Sequence, residues 1–197
     1  FYVGPTNSGK TYNAMQKLKE ANSGLYLAPL RLLALEGYED LKASNIQASL
    51  ITGEEQMLNE DAAYVCSTIE MLDFDLDVDV AVIDEVQMLE DNDRGWAWVN
   101  AIIGVPAKKV IMTGSVNALE AVKKIVQYLD KELEVVRHKR KNPLLVLEKW
   151  TPLEKLENGT ALIAFSRAEV LKLKQKLQKK YSVSVIYGNL SPEVRRD

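Results

Sequence analysis

The chain has 197 residues, of which 47% are hydrophobic and 27% are charged, and its formal net charge is −3. This composition excludes general disorder, and the net charge excludes a polycation that binds nucleic acid over its whole surface. The single cysteine, Cys66, excludes an internal disulfide and a cysteine-rich zinc site, and no apolar run is long enough to cross a membrane.

Short apolar runs alternate with helical patterns along the chain. The predicted strands lie at 1–3, 25–28, 49–51, 64–66, 80–83, 110–112, 144–147, 162–165 and 183–187. The predicted helices lie at 9–21, 30–43, 94–103, 117–128 and 167–180. This alternation predicts an α/β fold with a mostly parallel sheet flanked by helices.

Two changes in composition predict the domain boundaries. A basic run occupies 137–141, and a loop with Asn158 and Gly159 follows. We predict a first domain over 1–141, a linker strand and connection over 142–158, and an incomplete second domain over 159–197. The basic run could contact RNA phosphates, but a solvated linker is the favoured interpretation.

Residues 4–11, GPTNSGKT, match the phosphate-loop pattern G-x-x-x-x-G-K-[ST] in full. The loop follows a predicted strand and opens a predicted helix, which is the context that the pattern requires. Gly4 and Gly9 allow the backbone to curl, so that its amides and the helix N-terminus face a phosphate. Lys10 is expected to reach the β- and γ-phosphates, and the Thr11 hydroxyl is expected to coordinate Mg²⁺.

Asp84 and Glu85 follow the apolar strand 80–83, at the strand end where open α/β sheets bind ligands. Asp84 is expected to hold Mg²⁺, and Glu85 is expected to orient or deprotonate the water that attacks the γ-phosphate. The acidic pair alone is weak evidence. Together with the phosphate loop, it predicts hydrolysis of ATP or GTP, or phosphoryl transfer.

Further motifs make the chain resemble the Suv-three-like RNA helicases of superfamily 2, the family of the mitochondrial degradosome helicase and its bacterial relatives. The strongest resemblance is in the acidic box DEVQM and the stretch RGWAW, which lie at 84–88 and 94–98. Segments that resemble other motifs of the family lie, in the expected order, at 4–11, 28–36, 52–55, 66–71, 113–115, 164–167 and 186–190.

The resemblance implies a RecA-like P-loop NTPase domain and the beginning of a second RecA-like lobe. It also implies that ATP with Mg²⁺ binds between the two lobes and that RNA binds across their top. It implies that the nucleotide is bound by Gly4, Thr6, Asn7, Ser8, Gly9, Lys10 and Thr11. It implies that the catalytic residues are Lys10, Asp84, Glu85 and Gln87, with Thr11 and Asp84 on the metal.

For RNA, a single strand or a duplex with an overhang, the resemblance implies backbone contacts from Arg31, Thr52, Gly53 and Thr68. Thr113 and Ser115 would couple the nucleotide site to RNA. The resemblance also suggests a ribonuclease as a partner, no membrane, and a location in the bacterial cytoplasm or the mitochondrial matrix.

Two alternatives stay open from the sequence. One is a thymidine-kinase-like phosphotransferase, which has a similar phosphate loop but normally carries a four-cysteine zinc site. The other is a nucleotide-gated RNA-binding module without turnover. The chain is expected to be a fragment, because it begins at Phe1 rather than Met and stops four residues after Glu193, in a predicted helix that has barely begun. The resemblance places the family's arginine finger beyond Asp197, so slow hydrolysis by the fragment alone is also expected.

Overall fold

The structure is a computed structural model that describes residues 1–187 of the chain. Contacts divide the chain into two units, one from Phe1 to Pro143 and one that begins at Leu144. Residues 188–190 of the last predicted motif lie outside the described residues. The interpretation of 142–158 as a connection between domains stays a prediction.

The first unit contains one eight-stranded sheet. Its strands are β1 (Tyr2–Val3), β2 (Gly24–Ala28), β3 (Ala48–Ile51), β4 (Gln56–Met57), β5 (Tyr64–Thr68), β6 (Val78–Ile83), β7 (Ala107–Gly114) and β8 (Val136–Arg137). The order across the sheet is β4-β3-β5-β2-β6-β7-β1-β8, and every pair is parallel except β3 with β4. The predicted mostly parallel sheet is therefore confirmed. The short strands β4 and β8 were not predicted.

Helices cover both faces of this sheet. They are α1 (Lys10–Lys19), α2 (Arg31–Ala43), α3 (Gly95–Gly104) and α4 (Leu119–Tyr128). Alternate residues of β2 and β6 enter two separate apolar clusters, one beneath α1 and α2 and one beneath α3 and α4. Because each fully buried aliphatic side chain contributes about 1.5–3 kcal/mol, this two-sided burial holds β2 and β6 at the centre of the sheet.

The second unit contains helix α5 (Arg167–Leu177). The Ser166 hydroxyl caps this helix by accepting from the Glu169 amide at 3.2 Å. The strands predicted at 144–147, 162–165 and 183–187 do not form, since residues 144–187 contain no strand. An apolar run predicts burial, whereas a strand also needs a hydrogen-bonded neighbour, and Val146 is 91% exposed.

Within the described residues, every helix is too short or too polar to cross a bilayer.

Candidate functional site

Three adjacent strands bring the nucleotide motifs to one edge of the sheet. β6, β7 and β1 are neighbours and parallel, so their carboxyl ends meet at the same edge. The phosphate loop follows β1, Asp84 follows β6, and Ser115 follows β7. The Gly4 amide donates to the Gly114 carbonyl at 3.1 Å and so ties two of these ends together.

The phosphate loop is curled and polar. Asn7 and Gly9 adopt left-handed backbone angles, with φ of 58° and 82°, just before α1 begins at Lys10. The Lys10 ammonium turns back to donate to the Pro5 carbonyl at 2.9 Å, and this side chain is buried. The Ser8 hydroxyl is also buried and has no partner among the described residues. A bound phosphate would supply the acceptor that this hydroxyl and the loop amides lack.

The segment after β8 supports the outer side of this loop. The His138 amide donates to the Val3 carbonyl at 2.8 Å, and Arg140 Nε donates to the Thr6 carbonyl at 2.8 Å. A Cβ on Gly4 would lie 2.5 Å from the His138 carbonyl oxygen, so only glycine fits there. The interpretation of 137–141 as a solvated linker is therefore wrong for Arg137, His138 and Arg140, because these residues pair with β1 or contact the loop.

The Asp84 carboxylate is the centre of the site and is 2% exposed. Its Oδ1 accepts from Thr11 Oγ1 at 2.9 Å, from the Glu85 amide at 3.1 Å and from the Thr113 hydroxyl. Its Oδ2 accepts from the Tyr26 hydroxyl at 3.0 Å. These donors stabilise a carboxylate that burial alone would disfavour. Burial and the nearby Asp84 raise the pKa of Tyr26 far above its usual range, so Tyr26 remains a donor.

Glu85 and Gln87 form a second layer of the site. Glu85 adopts a left-handed conformation with φ of 53°, which turns the chain sharply as it leaves β6. Gln87 Nε2 donates to Glu85 Oε2, and Gln87 Oε1 accepts from the Ser115 amide at 3.0 Å. Gln87 therefore connects Glu85, which is predicted to orient or deprotonate the attacking water, to the loop that carries Ser115. Trp98 Nε1 fixes the turn by donating to the Asp84 carbonyl at 2.9 Å.

Oxygen ligands suited to Mg²⁺ lie together at this site. Mg²⁺ is typically bound by one or two protein groups plus phosphates and waters. The Thr11 hydroxyl and the Asp84 carboxylate, 2.9 Å apart, provide such groups beside the phosphate loop. Among the described residues, no cluster of three or more acidic, histidine or cysteine side chains could hold a metal ion by itself.

The predicted RNA residues lie at the other half of the same edge, after β2, β3 and β5. Arg31 begins α2 and forms an ion pair with Glu54, and both side chains are about half exposed. The Thr52 hydroxyl is buried and bonds within its own loop, accepting from the Glu55 amide at 3.0 Å. Gly53 has open space around it, and the buried Thr68 ends β5.

Two residues of the site were missed by sequence reasoning. Tyr26 donates to the Asp84 carboxylate, and Trp98 donates to the Asp84 carbonyl. The sequence signal that could have identified Tyr26 was a tyrosine, with its polar hydroxyl, in a central strand that is otherwise aliphatic. For Trp98 the signal was its indole N–H, which needs a hydrogen-bond acceptor when the ring is buried.

Sequence comparison with known proteins matches the chain to one family. The profile described as the DEXQ-box helicase domain of Suv3 matches residues 1–138. The Saccharomyces cerevisiae protein named "ATP-dependent RNA helicase SUV3, mitochondrial" is 43% identical over 203 residues, which cover 98% of this chain and 28% of that protein. The Arabidopsis thaliana "DExH-box ATP-dependent RNA helicase DExH18, mitochondrial" is 40% identical over 200 residues, covering 100% of this chain and 26% of that protein.

Solved structures agree on the fold. The Pyrococcus furiosus Hef helicase domain aligns with a TM-score of 0.51 at 22% identity, over 72% of this chain and 35% of that one. A Saccharomyces cerevisiae Dbp5 variant bound to Nup159, Gle1, IP6 and ADP aligns with a TM-score of 0.53 at 16% identity, over 99% of this chain and 62% of that one. At these identities the likeness shows the fold alone, and it confirms the predicted RecA-like class.

Proposed function

Since this chain belongs to the Suv3 family of DEXQ-box helicases, we propose that it is the ATP-binding and ATP-hydrolysing part of an ATP-dependent RNA helicase. The chain spans about a quarter of the length of the curated relatives that it matches. The family decides against the thymidine-kinase-like alternative. The observation that carries the proposal is the Thr11 hydroxyl lying 2.9 Å from the buried Asp84 carboxylate, directly beside Lys10.

The loop from Gly4 to Thr11 binds the phosphates of ATP. Its backbone amides and the N-terminus of α1 provide positive partial charge, and Lys10 exchanges the Pro5 carbonyl for phosphate oxygens. Thr11 and Asp84 would hold Mg²⁺, and the ion would supply positive charge that stabilises the phosphates. Glu85 orients or deprotonates the attacking water, and Gln87 keeps the Glu85 carboxylate in place.

The RNA backbone binds at the sheet edge formed by the carboxyl ends of β2, β3 and β5. The contacts to its phosphates and sugars come from Arg31, Thr52, Gly53 and Thr68. Contacts of this kind do not read the base sequence. Thr113 and Ser115 link this half to the nucleotide. The Thr113 hydroxyl, near the end of β7, donates to Asp84, and the Ser115 amide, just after β7, donates to Gln87. A shift of the end of β7 would therefore move Asp84 and Gln87.

The names of the relatives support a mitochondrial location rather than a bacterial cytoplasm. A ribonuclease partner stays a prediction.

The decisive test replaces Lys10 by alanine in the complete protein. We expect Lys10→Ala to lower ATP hydrolysis at least about a hundredfold, with and without single-stranded RNA, because several kcal/mol of phosphate stabilisation is lost. Lys17→Ala is the matched control, since Lys17 lies on the same helix and forms an ion pair with Glu20 at the surface.

Binding and turnover are measured separately. A fluorescent ADP analogue reports binding, and phosphate release reports hydrolysis. Retention of RNA-stimulated hydrolysis by Lys10→Ala would contradict the assignment of the phosphate site. Tight nucleotide binding by the unaltered protein without phosphate release would instead favour the RNA-binding module without turnover.

A further inference from the structure

Arg94 connects the two halves of the functional edge, although the chemistry described so far gives it no role. It is the first residue of the stretch RGWAW and lies just before α3. Its guanidinium contacts three separate elements: the loop between β2 and α2, the 3₁₀ turn Ile69–Met71 after β5, and α3 itself. The first two of these elements adjoin predicted RNA contacts, Arg31 at the start of α2 and Thr68 at the end of β5.

On the RNA half, Arg94 holds two loops by hydrogen bonds. Its Nη2 donates to the Pro29 carbonyl at 2.6 Å, two residues before Arg31. Its Nε donates to Glu70 Oε1 at 2.7 Å, two residues after Thr68. A movement of either loop on binding RNA would strain or shift the guanidinium, because its fork of donors is planar and rigid.

On the nucleotide half, Arg94 acts through Trp98. The guanidinium carbon lies 5.4 Å from the centre of the Trp98 ring. Trp98 is fully buried and donates from Nε1 to the Asp84 carbonyl at 2.9 Å. The series Pro29–Arg94–Trp98–Asp84 therefore connects an RNA loop to the backbone of the residue that holds the metal, through three direct contacts.

The surroundings of Arg94 give its charge particular weight. No lysine or arginine occurs between Lys42 and Arg94 in the sequence, whereas acidic residues are frequent there. The side chains of Arg94 and Glu70 are only 34% and 29% exposed, so solvent screens their ion pair less than it screens a surface pair. Replacement of Arg94 by lysine keeps the charge but removes the planar fork and its stacking on Trp98.

We propose that Arg94 is a positioning residue that couples RNA contact at the ends of β2 and β5 to the Asp84–Glu85 turn. This inference rests on the proposed function, because it assumes that ATP and RNA bind at the two halves of the edge. Arg94 itself touches neither ligand. Its effect is on the coupling between the two sites, which is a free energy that can be measured from either side.

The experiment compares three forms of the complete protein: unaltered, Arg94→Lys and Lys108→Ala. Lys108 is the control because it forms an ion pair of the same N–O length, 2.7 Å, with Asp79, at the opposite end of β6 from the site. For each form, kcat and KM for ATP are measured without RNA and with saturating polyuridylate. The affinity for polyuridylate is measured with and without a non-hydrolysable ATP analogue, and the melting temperature is measured without ligands.

We expect Arg94→Lys to keep the basal kcat and the melting temperature, while RNA stimulation falls about fivefold or more, which is the lower end of typical allosteric couplings. The RNA affinity should also become nearly insensitive to the ATP analogue. Lys108→Ala should keep full stimulation. Full stimulation in Arg94→Lys would overturn the inference, and so would equal losses of basal and stimulated activity together with a lowered melting temperature.

Two further outcomes are distinguishable. If Arg94→Lys does not fold, Glu70→Ala tests the same link, because it removes the acceptor of the Arg94 Nε hydrogen bond. Unchanged stimulation in Glu70→Ala would then overturn the inference. If the unaltered protein neither hydrolyses ATP nor responds to RNA, the proposed function itself fails and the inference fails with it.

Discussion

The two halves of the sheet edge differ in how their polar groups are used. At the nucleotide half, one carboxylate with 2% exposure collects donors from Thr11, Tyr26, Thr113 and the Glu85 amide. At the RNA half, Arg31 pairs with a half-exposed Glu54, and Thr52 bonds within its own loop. At the first half Asp84 is held in place by buried hydrogen bonds, and only Lys10 exchanges a partner, the Pro5 carbonyl, for a phosphate. At the second half Arg31 must give up an exposed ion pair before it binds RNA.

This difference predicts unequal costs for mutations. Buried and fully bonded groups are expensive to remove because each deletion leaves several partners unsatisfied. Exposed pairs contribute about 0–1 kcal/mol, so their removal changes affinity only modestly.

Replacement of Asp84 by alanine should have the largest effect. It removes the proposed metal ligand and leaves three hydroxyls without their acceptor, so we expect at least about a hundredfold loss of kcat and a loss of about 3 kcal/mol of stability. ATP hydrolysis and urea denaturation measure the two effects. Asp79→Ala is the control. Asp79 is the second residue of β6, before the buried residues Val80–Ile83, and it pairs with Lys108 at the surface. Similar losses in both variants would show that the buried, fully bonded position of Asp84 has no special importance, which would contradict the contrast between the two halves.

Gln87→Ala should slow hydrolysis without weakening the nucleotide complex. Gln87 forms hydrogen bonds with Glu85 and the Ser115 amide, and among the described residues none of its hydrogen bonds goes to the phosphate loop. We expect kcat to fall about tenfold, while the Kd for ADP stays within about twofold, because only the positioning of Glu85 is lost. Steady-state kinetics and ADP titration test this. A change in ADP affinity alone would assign Gln87 to binding instead.

Tyr26→Phe should cost about 1–2 kcal/mol of stability, since it removes one donor to the buried Asp84 carboxylate. Tyr38→Phe is the control, because Tyr38 is buried nearby and its hydroxyl has no hydrogen bond among the described residues. The raised pKa of Tyr26 also predicts a pH effect. A group whose pKa is raised on folding contributes stability that is lost as the pH rises above its unfolded value, about 10 for tyrosine. The alkaline loss of stability should therefore be smaller in Tyr26→Phe than in the unaltered chain.

The ion pair between Arg31 and Glu54 should give the smallest effects, with opposite signs. Arg31→Ala should weaken RNA binding a few-fold and reduce the slope of log K against log salt by about one, as expected for a single phosphate contact. Glu54→Gln should strengthen binding slightly, because it frees Arg31. Lys42→Ala, at the other end of α2, is the control. Filter binding over a salt series measures both, and weaker binding by Glu54→Gln would argue against this use of Arg31.

The sequence predicted local features of this edge better than distant contacts. The phosphate loop was found because its residues are contiguous and its spacing is fixed. The placement of Asp84 beside it followed from the rule that parallel strands present their ends at one edge. Tyr26, Trp98 and Arg140 were missed or misinterpreted because their partners lie 58, 14 and 134 residues away, and no local pattern marks such contacts. The three strands predicted after residue 143 did not form, since an apolar run cannot specify which strand it will pair with.

The position of β1 determines when the phosphate loop can be completed. Tyr2 is in register with Thr113 on one side and with Val136 on the other, so both neighbours of β1 are made more than a hundred residues later. Closing such long loops is entropically costly and slows folding. As the chain leaves the ribosome, β1 therefore stays without its partner strands until Thr113 and then Val136 have emerged. The nucleotide-binding segment is thus made before the strands that hold it and is among the last parts of this unit to be fixed in place.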